Sequence, residues 1–132
     1  MRKITFRLFG IAVLLAVGQF VSCSSAPVVI PEDLTPMELV QRAQDATDNN
    51  RYDAAIQYYS AILERYSDDM EMVCTAEYEI AFINYKQRNY EEAKAGFTAL
   101  LERYKGVDAE FLPAQYKILS EKVLAKMELD KK

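Results

Sequence analysis

From residue 36 onward, apolar residues return at steps of three and four, the spacing of a helix with one face turned inward. Tyr52, Ala55, Ile56, Tyr59, Ile62, Leu63 and Tyr66 form one such stripe, and Tyr90, Ala93, Phe97, Leu100, Leu101 and Tyr104 form another. Between them the run Met70 to Lys86 is helical and closes at the turn Gln87-Arg88-Asn89. Ahead of both, Thr35-Pro36-Met37-Glu38 is a strong start signal: a capping hydroxyl, a proline suited to the first helical position, and the acid that completes a capping box. That helix should reach about Asn49 with Leu39, Ala43 and Ala46 inward, and Asp48 to Arg51 should turn the chain. Gly106 is placed to end the fourth helix, and Pro113 belongs in the first turn of a fifth that continues to about Leu129. Nothing alternates with period two for long, so the pattern predicts an all-α domain. Its short connections make neighbouring helices antiparallel.

Two of these helices are one helix used twice. Laying Tyr52 on Tyr90, an offset of 38, matches seven of the fifteen positions from Tyr52 to Tyr66, including Ala55/Ala93, Leu63/Leu101 and the closing Glu-Arg-Tyr. The same offset carries Ala76, Tyr78 and Ile80 onto Ala114, Tyr116 and Ile118. A fixed internal period of this size points to stacked helical hairpins, each covering its neighbour's apolar face.

The first residues have another character. Arg2, Lys3 and Arg7 precede an uncharged run to Pro31, within which residues 8–20 are an apolar core of secretory-signal length. Cys23 follows in the sequence Phe-Val-Ser-Cys, which resembles the cleavage box of bacterial lipoproteins, although Phe20 and Ser22 depart from its usual Leu and Gly or Ala. The expected division is a signal over 1–22, a lipidated Cys23 with a tether over 23–35 held extended by Pro27 and Pro31, a first repeat over 36–66, a second over 67–106 and a capping helix over 107–132. Resemblance to the lipoprotein pattern implies anchorage in the cell envelope, with Ser24 pointing to the outer membrane facing the periplasm. Removing residues 1–22 takes net charge from −4 to −7, since they hold three cations and no acid. An acidic chain without a basic cluster is expected to be repelled by nucleic-acid backbones and by anionic membrane surfaces. Cys74, in a helical pattern beside Val73, reads as a small buried apolar group.

Residues 84–104 resemble the tetratricopeptide repeat, a helical hairpin of 34 residues. Ala81, Tyr90, Ala93 and Phe97 match its small and aromatic positions, as do Ala43, Tyr52, Ala55 and Tyr59 in the first unit. Asn50 and Arg88 stand where that repeat often has glycine, and Ser67 and Lys105 where it has proline. The alanines have a physical reason, because close helix crossings leave no room for larger side chains. The resemblance implies a short right-handed α-solenoid of two hairpins plus a C-terminal capping helix. The long period and Ala76-Glu77-Tyr78-Glu79-Ile80-Ala81 add a narrower likeness, to outer-membrane β-barrel assembly lipoproteins and to periplasmic cell-division repeat proteins.

In tetratricopeptide domains the first helix of each hairpin lines a concave groove that takes up a partner peptide or helix. Carried over position by position, the groove would hold Val40, Gln44 and Thr47, then Tyr78, Phe82, Tyr85 and Lys86, then Tyr116, Ser120 and Val123. Tyr78, Phe82 and Tyr85 make a second stripe on the middle helix, and aromatic rings bury large areas as binding anchors do. An equal alternative is that Tyr78 and Phe82 only contact neighbouring helices. The stripe tyrosines of the second and fourth helices are expected to pack with their hydroxyls at the surface.

Catalysis finds no foothold here. The sequence has no histidine, no phosphate-cradling glycine loop and no calcium-loop spacing, so no cofactor or metal is expected. The acidic groups 67–69, 77–79 and 91–92 read as solvated faces and helix starts. The sequence therefore supports a membrane-anchored adaptor for a protein partner. An accessory subunit of a periplasmic solute-uptake system is an alternative that an enclosed apolar cavity would favour. A self-associating structural protein is another, since two repeats leave solenoid ends poorly covered. Against an endless stack, the last helix carries Glu121, Lys122, Lys126, Glu128, Lys131 and Lys132 toward solvent, as a cap would.

Overall fold

The computed structural model describes residues 26–130, and the expected signal over 1–22, Cys23 and Lys131 and Lys132 lie outside the described residues. Those described fold as five α-helices with no strand among them: α1 Pro36–Asp48, α2 Tyr52–Arg65, α3 Met70–Lys86, α4 Tyr90–Arg103 and α5 Ala114–Leu129, with a short 3-10 turn Ala109–Phe111 before α5. No helix among them is long and apolar enough to cross a membrane.

Local signals set these bounds. Thr35 Oγ1 accepts from Glu38 N–H at 3.3 Å, and the Glu38 carboxylate accepts from Thr35 N–H at 2.8 Å, the reciprocal capping box. α2 and α4 start and stop 38 residues apart at both ends. The turns ahead of them repeat too. Asn50 and Arg88 have φ of 56° and 65°. The amides one residue further on, Arg51 and Asn89, bond back to Ala46 and Asn84 carbonyls at 2.8 and 2.9 Å. Glycine adopts this left-handed backbone freely and asparagine tolerates it, whereas arginine does not favour it. Arg88→Gly is therefore expected to stabilise the domain by about 0.5 kcal/mol, the strain relieved less the added freedom of the unfolded chain. A urea melt that shows no gain would place the strain elsewhere. Gly106 is not the stop expected of it. α4 ends at Arg103, and the chain leaves through successive tight turns, with no glycine at positive φ among the described residues.

The α3–α4 hairpin is antiparallel along its whole length: Glu77 pairs with Arg103 at 2.6 Å, Ala81 faces Gly96, and the rings of Tyr85 and Tyr90 lie 6.0 Å apart. Ala43, Ala55, Ala81 and Ala93 are all buried at the helix crossings, as their size requires. One core layer joins α1, α2 and one side of α3 through Leu39, Tyr59, Ile62, Ala76 and Ile83. A second joins the other side of α3 to α4 and α5 through Cys74, Tyr78, Phe97, Leu100 and Met127. Burial raises the Cys74 thiol above its ordinary pKa, in keeping with a packing role.

Two expectations need correction. Residues 26–35 form no helix or strand and turn at Glu32 and Asp33, but they are not a free tether. Val28 and Ile30 pack on α2 beside Ala54 and Ala61, Val28 N–H donates to Gln57 Oε1 at 2.8 Å, and Arg65 donates to the Pro31 and Ile30 carbonyls. Val29, between them, is exposed. The stripe tyrosines do not all send their hydroxyls to water either. Tyr59 is buried, and Tyr66 and Tyr104 donate to the Leu34 and Pro113 carbonyls at 2.6 and 2.7 Å, pinning residues that lead into α1 and α5. Tyr90, by contrast, is 44% exposed.

A candidate partner-binding face

α3 places Tyr78, Phe82 and Tyr85 at steps of four and three, so their rings rise as a ladder on one side of the helix. Tyr78 to Phe82 is 5.8 Å between centroids, nearly parallel, and Phe82 to Tyr85 is 6.0 Å. Tyr116 of α5 adds a ring 5.4 Å from Tyr78, and Tyr90 extends the other end. Two ammonium groups close over the ladder. Lys86 lies 5.3 Å from the Tyr52 ring and 5.4 Å from Phe82, and Lys126 lies 5.9 Å from Tyr85. Each is a favourable cation–ring contact of about 0.5–1 kcal/mol at exposed sites.

Of the residues expected in a groove, Phe82, Tyr85, Lys86 and Tyr116 therefore come together, with Phe82, Tyr85 and Tyr116 half-buried and Lys86 exposed. Tyr78 belongs to the ladder but not to an open groove: it is 7% exposed, sealed by Phe97 behind it and Tyr116 above it. Ser120 is buried as well, on the side of α5 that packs inward, and its Oγ has no hydrogen-bond partner. Val40 is buried, Val123 is half-buried against the second core layer, and Tyr116 spends its hydroxyl on Thr75 Oγ1 at 2.8 Å. Gln44 is exposed and Thr47 is half-buried, its hydroxyl donating to the Ala43 carbonyl at 3.0 Å. Both stand on α1 without a polar or ring contact to the ladder.

α5 explains why Tyr78 and Ser120 are closed off. At the offset of 38, α3's buried Ala76 and Ile83 correspond to Ala114 and Glu121, and its half-buried Ile80 to Ile118. In α5 all three are exposed, Ile118 at 50%. α5 instead docks with Tyr116, Val123, Leu124 and Met127, a different face, and this brings it down over the Tyr78 end of the ladder. Leu119 and Leu129 are left outward among the charges, so the outer side of α5 is not purely polar.

Glu79 belongs to this face and was missed in the sequence. The triplet 77–79 reads as solvated, yet Glu77 is held by Arg103 through two short hydrogen bonds, and Glu79 is half-buried near Tyr59 and Tyr78. Its spacing to Phe82 and Lys86, three and seven residues, was the available signal. Burial raises the Glu79 carboxyl above its ordinary value of 4.5, and Lys86 offsets part of this. A raised folded-state pKa means that the charged form opposes folding, so stability is fullest at low pH and falls as pH rises through that value. Glu79→Gln is expected to unfold at higher temperature than the parent at pH 7, with the gain shrinking to nothing below pH 4.5. Thermal melts across that range check it, and a loss of stability at pH 7 would mean that the carboxylate has a partner.

No group of three or more candidate metal ligands occurs among the described residues. Over 105 residues the chain is 33% identical to an uncharacterized protein of Treponema pallidum (strain Nichols). That match takes in 78% of this chain and 42% of the relative, so the chain spans about two-fifths of this relative's length. No family model and no solved structure matches the chain.

Proposed function

We propose that the protein is a tetratricopeptide-like adaptor, lipid-anchored at Cys23, that receives a peptide or helix of a protein partner at the cell envelope. The observation that carries this reading is the ring ladder on α3, whose Phe82 and Tyr85 stay half-open beside the exposed Lys86 ammonium. The solenoid reading is supported by the 38-residue period, which recurs in helix ends, turn dihedrals and turn hydrogen bonds alike. The open face is shorter than the family pattern implies, because α5 closes it at Tyr78.

A photo-crosslinking residue placed at Lys86 or Gln44 in the full chain tests this in cells. The expected result is one protein adduct, obtained at these positions, absent at the exposed Asp68, and lost on Phe82→Ala with Tyr85→Ala. Adducts only with lipid or with the chain itself would overturn it. Envelope assembly is the theme the narrower resemblance supports.

A second reading, self-association, draws on one observation: Phe111, Ile118, Leu119 and Leu129 are exposed on or beside α5. Sedimentation of residues 24–132 decides it, since a monomer at high concentration counts against it.

A further inference from the structure

The strap of residues 26–35 fixes where the N-terminal end leaves the domain. Val28 is bonded to Gln57, and Ile30 and Pro31 to Arg65 two turns later, so the strap runs along α2 in the helix's own direction. Ala26 consequently lies at the start of α2, where it lines a cleft of about 330 Å³ with Asn50, Arg51, Tyr52 and Gln87. Both turns of positive φ are at this end of the domain, and Lys126 over Tyr85 brings the last turns of α5 there as well. Cys23 precedes Ala26 by three residues, a reach of at most ~11 Å. The opposite end lies a further ~20 Å away, the length of α2.

The two ends differ in charge. The far end is acidic, with Asp68, Asp69 and Glu71 at one connection and Asp108 and Glu110 at the other, all exposed. Of its cations, Arg65 holds the strap, Arg103 holds Glu77 and Lys105 holds Glu102, while Lys117 stands exposed in the first turn of α5. The near end is mixed, with exposed Arg51, Lys86, Arg88 and Lys126 among exposed Asp48, Asp53, Glu91, Glu92 and Asp130. Anionic headgroups repel the first arrangement more strongly than the second, within the ~10 Å over which such fields act.

We infer that the domain stands on a lipid surface by the end bearing turns 49–51 and 87–89. Arg51 and Arg88 meet the headgroups there, the acidic end points away, and the strap holds this attitude. This rests on the lipid at Cys23. A flexible leash would let the domain tumble, whereas a docked strap leaves little play between anchor and helix.

The test uses full-length protein purified from membranes, with acylation of Cys23 read by mass spectrometry, in vesicles of phosphatidylcholine and phosphatidylglycerol. Single cysteines replace Arg51, Arg88, Asp68 or Asp108 and carry a fluorophore, while Cys74 is fully buried and stays unlabelled. A quencher on the lipid headgroups should dim Arg51→Cys and Arg88→Cys several-fold more than Asp68→Cys and Asp108→Cys. Arg65→Ala with Val28→Asp should abolish the difference with the helical circular dichroism intact. Equal quenching at both ends with Cys23 acylated overturns the orientation and leaves the anchor standing, and an unmodified Cys23 overturns both. A difference that persists after the strap is released removes the strap's part in it. Because the four labelled sites are exposed, the comparison holds even if the strap variant fails to fold.

Discussion

Phe97→Ala is expected to lower the unfolding free energy by about 3–5 kcal/mol, the range for truncating a large aromatic in a packed core. Phe97 is fully buried, and its ring lies 5.7 Å from that of Tyr78. It is also the point where α3, α4 and α5 share a layer. The cavity it leaves has little means of collapsing, because the α3–α4 spacing is already fixed by the close approach of Ala81 and Gly96. Urea unfolding followed by circular dichroism should show a lower midpoint at unchanged slope. Phe97→Leu should cost less than about 1.5 kcal/mol. Equal costs for the two would mean that the layer is not packed as described.

The second large effect has the opposite cause. A Cβ on Gly96 would meet the Ala81 Cβ at 2.9 Å and the Ala81 Cα at 3.5 Å, so neither neighbour can yield by turning a side chain. Gly96→Val is expected to destabilise by about 1–3 kcal/mol through overpacking, despite removing a mid-helix glycine. Adding Ala81→Gly should recover part of that loss, and the recovery is the sign of direct coupling. The position is not intrinsically small: the first hairpin has Tyr58 at the matching place, half-buried, opposite Ala43. The tight approach is thus a property of the second hairpin. Gly96→Val without loss of stability would refute the crossing.

The helices were legible because their signals are local. A capping box, a proline at the first helical position and a period of three and four placed four of the five within a residue or two of their ends, and the offset of 38 tied two of them together. The docking of residues 26–35 was not read, since Pro27 and Pro31 describe how the segment is held but not what it touches. A trace existed in α2, which has buried Ala54 where α4 has exposed Glu92, and buried Ala61 where α4 has exposed Ala99. A helix apolar on that extra side needs a cover. Tyr78 and Ser120 were misplaced for a different reason. Their exposure depends on which face α5 turns inward, and the repeat register gives the wrong one. Burial of Glu79 is signalled only faintly, by its place three and seven residues ahead of Phe82 and Lys86, because an acid beside a tyrosine is solvated on most helices.

The departure of α5 from the register also bears on how such a chain can lengthen. α5 seats itself on surfaces that belong to one hairpin, α3 with α4, and hardly at all on what comes before. A duplicated unit inserted ahead of it would present the same seat again, so growth by whole periods leaves the terminus intact. An insertion of half a period would offer α5 the wrong partner helix, and the end of the molecule would come undone.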